Sequence, residues 1–320
     1  MATIRLLHIS DLHICEYLNV RQISKRDRSA VKEAIRHFTV APASSPTKLT
    51  RFLSFLRRQR QTLDGLIITG DIATTGRIFD LQKAFTVIKN RIEPIGLNIC
   101  LLPGNHDRWT PYRKDHDSMI WSVGYDPGGQ DFHSIFSSYW GPDDVRIFPL
   151  QKDTFKVVTI AADLSLRCAS DAEVWRFINK HGQGKVYDDI LLKMEQATLH
   201  EIDNHKGPLA VVWAIHFPPF SEDISSDLRL LDEKLLLDKA DELGVSVILA
   251  GHSHVGRPYR PLTYQTDVFC AGTLTEYNHP KNQFFIISFE DEGENYRVRL
   301  DNYEYDRLTA RFRKRNYTVA

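Results

Sequence analysis

Paired cysteines are missing from this chain of 320 residues: Cys15, Cys100, Cys168 and Cys270 are scattered, and no two stand in a C-x-x-C spacing. That scatter excludes a zinc ribbon and reads as a reduced, cytoplasmic protein rather than a disulfide framework. Excess charge is missing too. The 41 basic and 41 acidic residues cancel, so the overall balance calls for neither a polyanionic partner nor a charged membrane surface. No run approaches the roughly 18 consecutive apolar residues that a membrane span needs. The opening MATIRLLHIS has neither the long apolar region nor the small-residue cleavage site of a secretory signal. Internal repeats and low-complexity linkers are also absent, so one domain with insertions is the expected organisation.

What the chain does have is a series of short Val-, Ile- and Leu-rich segments that stop abruptly at Gly, Pro or a polar cluster. They cover residues 4–10, 65–69, 98–103, 157–162, 209–215 and 245–250. Segments apolar on both faces suit strands covered from both sides. Helical spacing fills 50–61, 78–91, 188–204 and 230–244 between them. The alternation predicts an α/β domain with a largely parallel core. After Gly251 the texture changes to consecutive strands at 266–271, 283–290 and 296–305. Three stretches read as insertions, near 15–49, 108–149 and 164–185. The main domain is expected over 1–290, with a last strand and a basic tail over 291–320 packed on it.

The chemistry lies where the apolar segments end. LLHIS runs into Asp11-Leu12-His13, LIIT into Gly70-Asp71, and ICLLP into Gly104-Asn105-His106-Asp107. AVVWAI ends at His216, and VSVILA ends at Gly251-His252-Ser253-His254. In open α/β sheets ligands bind beyond the carboxyl ends of the strands, so five such ends would converge on one cluster. Carboxylates, an amide oxygen and several imidazoles, with no thiolate, suit borderline divalent metals such as Mn, Fe, Zn or Co. The donors are too many for one ion, and Asp71 has two oxygens with which to bridge a pair. Two-metal sites clamp the attacking and leaving oxygens of a phosphoryl displacement. Gly70, Gly104 and Gly251 fit turns where backbone passes close to the site.

Asp11-x-His13, Gly70-Asp71, Gly104-Asn105-His106-Asp107, His216 and Gly251-His252-x-His254 resemble, in order and spacing, the calcineurin-like metallophosphoesterase family. The resemblance implies a four-layer α-β-β-α sandwich of two mixed sheets. It also implies two divalent cations, the first held by Asp11, His13 and His254, the second by Asn105, His216 and His252, with Asp71 bridging. His106, oriented by Asp107, would assist the leaving oxygen, and a metal-bound hydroxide would attack. The absence of G-D-x-x-D-R-G after Asp71 separates the chain from protein Ser/Thr phosphatases, and Thr74 stands where purple acid phosphatases place a tyrosine ligand. ISDLH, TGDIA, PGNHD and HFPP look closest to the branch of cyclic-nucleotide and glycerophosphodiester phosphodiesterases. Phe217 departs from that branch, which usually shows a second histidine before Pro-Pro.

The expected substrate is therefore a small-molecule phosphate diester. The alternatives are a nuclease of the same family, which neutral charge disfavours, and a scaffold without activity, which retention of His106 and all seven ligands disfavours. A homodimer is left open. His8, inside the first strand, reads as core or as support for the site. His37, His116, His133, His181, His200, His205 and His279 read as surface or loop residues, and Cys15 as a buried bystander. Arg108 reads as either a phosphate contact or a solvated loop residue, and the tail RFRKRN as a solvated terminus.

Overall fold

The computed structural model describes residues 2–14, 44–114, 121–125, 129–141, 143–167, 182–222, 224–225, 228–276 and 279–315, with backbone alone for 109–114 and 121–125. Cys15, Cys168, His37, His116, His181 and much of the expected insertions lie outside them.

The strands are β1 (Thr3–Ile9), β2 (Gly65–Thr69), β3 (Asn98–Leu102), β4 (Trp109–Lys114), β5 (Trp121–Tyr125), β6 (Val145–Lys152), β7 (Phe155–Ala162), β8 (Gly184–Lys185), β9 (Leu209–Ala214), β10 (Leu230–Leu231), β11 (Val247–Ala250), β12 (Arg257–Tyr259), β13 (Asp267–Cys270), β14 (Gln283–Asp291), β15 (Tyr296–Asp306) and β16 (Arg311–Arg315). The helices are α1 (Pro46–Gln59), α2 (Ile78–Val87), α3 (Gln130–Ile135), α4 (Asp188–Asn204) and α5 (Glu233–Glu242).

Two six-stranded sheets carry the fold, in the orders β16-β15-β14-β1-β2-β3 and β12-β13-β11-β9-β7-β6. Their centres are parallel, as the doubly apolar segments predict: β1, β2 and β3 run together, and so do β7, β9, β11 and β13. Antiparallel pairing adds β14, β15 and β16 on the β1 side of the first sheet, whose other edge strand β3 is parallel. It adds β12 and β6 at the two edges of the second, so each sheet is mixed rather than purely parallel.

The period of two in the strands sorts side chains into layers. Along the second sheet, Val157, Ala161, Ala210, Val212, Ala214, Val247 and Leu249 join the core shared with the first sheet. Their neighbours Val158, Ile160, Val211, Trp213, Ile248 and Ala250 pack instead with Ile190 and Met194 of α4 and Leu236, Leu237 and Ala240 of α5. Phe52, Leu53 and Leu56 of α1 and Leu81 and Ala84 of α2 join the first-sheet core. The layer order is helix, sheet, sheet, helix, the four-layer sandwich. Inside it, buried Trp213 Nε1 donates to Thr198 Oγ1 over 3.0 Å. No helix among the described residues is long and apolar enough to cross a membrane.

Candidate metal centre

The parallel strands of both sheets end on the same side, and the chain ends are tied together there. Asp11 N–H donates to the Gly70 carbonyl, His13 N–H to the Asp71 carbonyl and Gly251 N–H to the His216 carbonyl. Ser10 bridges in parallel to Thr273, just beyond β13, so the first sheet meets the second at this edge. The first sheet delivers Asp11, His13, Asp71, Asn105 and His106. His216, His252 and His254 come from the second.

Turning sharply off a strand has a backbone cost, and it is concentrated at this edge. Asp11, His13, Asp71, His252 and His254 all adopt φ between 47° and 65°. Asp and His tolerate this left-handed region better than branched residues, and such strain collects at functional sites. Gly104 shows why the turns need glycine: a Cβ there would collide with the Asp71 carboxylate and approach His216 Cε1 to 2.8 Å.

Ligand-type atoms fall into two groups, each within 4.8 Å: Asp11, His13, Asp71 and His254 in one, Asp71, His216 and His252 in the other. Asp71 belongs to both. Asn105 Oδ1 joins the second, 3.1 Å from His216 Nε2. Asp11 Oδ1 and Asp71 Oδ2 are buried and make no hydrogen bond. Imidazole nitrogens nevertheless face them, His254 Nε2 at 3.2 Å from Asp11 Oδ1 and His216 Nε2 at 3.4 Å from Asp71 Oδ2. His13 Nε2 and His254 Nε2 confront each other at 3.1 Å. Buried donor atoms that converge without satisfying one another are what a cation would resolve, and the O/N donor set fits borderline divalent ions.

The far side of each ring fixes which nitrogen faces inward. His216 Nδ1 lies 2.6 Å from the Thr69 carbonyl and His254 Nδ1 lies 2.9 Å from Glu276 Oε2, so both present Nε2 to the centre. His252 is reversed: its Nε2 lies 2.8 Å from the Leu228 carbonyl, leaving Nδ1 for the centre. The remaining carboxylate oxygens hold backbone, Asp71 Oδ1 accepting from His106 N–H at 2.8 Å and Asp11 Oδ2 from His252 N–H at 3.0 Å.

Electrostatics follow from burial and opposed charge. Burial raises the Asp11 and Asp71 carboxyls, yet the surrounding imidazoles, chiefly His254 and His216 respectively, carry both well below the usual carboxylate range. Burial disfavours charged His216 and His254, but Asp71 lifts the former to about 9 and Asp11 the latter to about 10. His252 falls to about 3 through burial and the neighbouring His216 charge.

His106 stands at the rim with 14% of its side chain exposed, its Nε2 4.0 Å from Asp71 Oδ2. Its orientation differs from the expectation: His106 Nδ1 lies 2.9 Å from the Thr74 carbonyl. Asp107 instead accepts three backbone N–H bonds, from Ile72, Ala73 and Gly104. Both its oxygens are occupied by the turn, so it shapes the loop that carries Asn105 and His106. Arg108 is neither solvated nor directed outward; it is buried in an ion pair with Asp163.

Glu276, which holds His254, is not among the expected site residues, and His279, read as a surface or loop residue, places its ring 6.2 Å from that of His254. Both sit in the turn between β13 and β14, where no motif spacing marks them. His133 is occupied within its own segment, with Nδ1 2.9 Å from the Gly141 carbonyl, and His205 Nε2 lies 3.0 Å from the Thr154 carbonyl. His8 is buried with Nε2 3.0 Å from Thr69 Oγ1, a support beneath the edge rather than part of it.

A search of curated proteins found no match. Among solved structures the fold is similar to a dimetal phosphatase from Danio rerio, at 14% identity and TM-score 0.56 over 98% of this chain and 99% of that one. It is also similar to GAP50, described as the anchor in the inner membrane complex of Plasmodium, at 9% identity and TM-score 0.51 over 99% and 89% of the two chains. Identities this low carry the fold alone. The family model for calcineurin-like phosphoesterases, however, matches residues 4–256, from β1 through the turn that bears His252 and His254. On a match that spans most of its length, the chain belongs to the calcineurin-like phosphoesterase family.

Proposed function

We propose that the protein is a dimetal-dependent hydrolase of a small phosphodiester. The observation that carries this reading is the sharing of Asp71 between two groups of converging buried donors. Asp11, His13 and His254 would hold the first divalent cation, Asn105, His216 and His252 the second, and Asp71 both. Bound there, the cations would lower the pKa of water to supply a nucleophile and would neutralise charge developing on the phosphoryl oxygens. The dimetal phosphatase from Danio rerio supports a two-ion centre on this fold.

The protein's own residues would place the ester and move the proton. Because His106 Nδ1 faces a carbonyl, which can only accept, that nitrogen carries the hydrogen in the neutral ring. Nε2 gains a proton only in the imidazolium form. Burial holds His106 at about 4, with Asp71 opposing that shift. An anionic ester alongside would favour the charged form, and the Nε2 proton would pass to the departing oxygen. The diester preference and the kinship with cyclic-nucleotide and glycerophosphodiester phosphodiesterases rest on the phrases ISDLH, TGDIA, PGNHD and HFPP.

Asp71→Ala tests the shared role. It should remove metal, measured by elemental analysis of desalted protein, together with hydrolysis of a phosphodiester. Full metal content in that variant would refute the assignment of Asp71.

A further inference from the structure

Phe217 follows His216 at the end of β9 and is fully buried. Its ring centroid lies 5.0 Å from His216 at an interplanar angle of 81° and 4.9 Å from His252 at 59°. The two imidazoles are themselves 5.0 Å apart at 66°. Three rings thus close on one another at separations where edge-to-face packing is favourable. Phe217 has no atom with which to bind an ion, so what it adds is shape.

The ring fits there because residue 184 has no side chain. A Cβ on Gly184 would stand 2.5 Å from Phe217 Cγ, inside the distance that packed atoms reach. Gly184 is fixed by its own pairing: its N–H donates to the Arg229 carbonyl, and β8 pairs in parallel with β10, Gly184 opposite Leu230. The segment leading into β10 also supplies the Leu228 carbonyl that takes His252 Nε2. One small two-stranded sheet therefore seats the ring that packs His252 and anchors the nitrogen on its far side. The first donor group is held by other means, the Glu276 carboxylate on His254 and the Ser10–Thr273 bridge.

Resting on the dimetal reading above, we infer that Phe217, seated on Gly184 of β8, is a positioning residue that sets the second metal position by fixing His216 and His252, and leaves the first position untouched. Supports of this kind behind a ligand are worth about 10- to 100-fold in metal affinity. β8 then serves the centre by seating one of its walls.

The test is a calorimetric titration of chelator-stripped protein with Mn²⁺, with metal content of desalted samples as a second readout. Wild type should bind two equivalents. Gly184→Ala and Phe217→Ala should weaken the second equivalent at least about tenfold and leave the first unchanged. Ile190→Ala, in the same apolar cluster but on α4, should change neither equivalent despite its cost in stability. Phe217→Met, which keeps apolar bulk without a ring, should also weaken the second equivalent, and it keeps the test readable if the alanine variant does not fold. Two equivalents of unchanged affinity in Gly184→Ala and Phe217→Met, or equal weakening of both equivalents, would overturn the inference. Wild type binding fewer than two would overturn the dimetal reading, and this inference with it.

Discussion

At the scale of single residues, the proposed division of labour separates holding the ions from moving the proton. His106 lies outside both groups of converging donors, with its Nε2 4.0 Å from Asp71 Oδ2 and its Nδ1 anchored on the Thr74 carbonyl. His106→Ala should therefore lower kcat by about 10² to 10⁴, the usual reach of general acid catalysis, while metal content stays at the wild-type level. Loss of metal in parallel with activity would assign His106 to the ligands instead. Asp11, His13, Asp71, Asn105, His216, His252 and His254 were legible because each ends an apolar segment and the structure brings them together. Glu276 was not. It acts through His254, and nothing in its neighbourhood TLTEYNH fixes a spacing to the other groups. Asp107 was expected to orient His106, but its three backbone partners belong to turns that only the folded chain assembles.

At the scale of elements, those three N–H groups make the turn after β3 depend on one side chain. Asp107→Ala would leave buried donors at Ile72, Ala73 and Gly104 without their acceptor, at a cost of about 1–3 kcal/mol for each unsatisfied group. Urea unfolding should show a loss of several kcal/mol, about 3 or more on that count; a loss below about 1 kcal/mol would mean the turn stands without Asp107. Helix periodicity located α4 at its observed ends and placed α1 four residues late, because Ser45 caps it and Pro46 opens it ahead of the apolar repeat. The predicted helix over 78–91 divides, since α2 ends at Val87 and a π-turn covers Ile88–Ile92. The central parallel strands were readable from their doubly apolar composition. Edge strands β6, β12 and β16 were not, because a half-exposed strand with mixed polarity resembles a loop.

At the scale of the molecule, two sheets meet along the edge that carries the centre, and strand pairing across distant sequence is what periodicity cannot supply. The same edge ties stability to pH. His8 is buried beneath it, and burial lowers its pKa from 6.5 to about 3, Asp11 opposing. As pH falls below 6.5 the unfolded chain takes up a proton there while the folded chain does not, so stability present near neutrality is lost through the interval down to about 3. Between pH 7 and pH 4 this one group should remove about 3 kcal/mol. His8→Gln, which keeps a polar partner for Thr69 and does not titrate, should lose correspondingly less on acidification of metal-free protein. Parallel stability curves for the two proteins would show that His8 does not carry the effect.

The most direct test of the dimetal phosphoesterase is hydrolysis of bis-p-nitrophenyl phosphate and p-nitrophenyl phosphate by chelator-stripped protein, with Mn²⁺ added back in steps. No turnover is expected without metal, with turnover rising as the second equivalent binds and the diester preferred. Turnover that survives removal of metal, or none once two equivalents are bound, would contradict the dimetal reading.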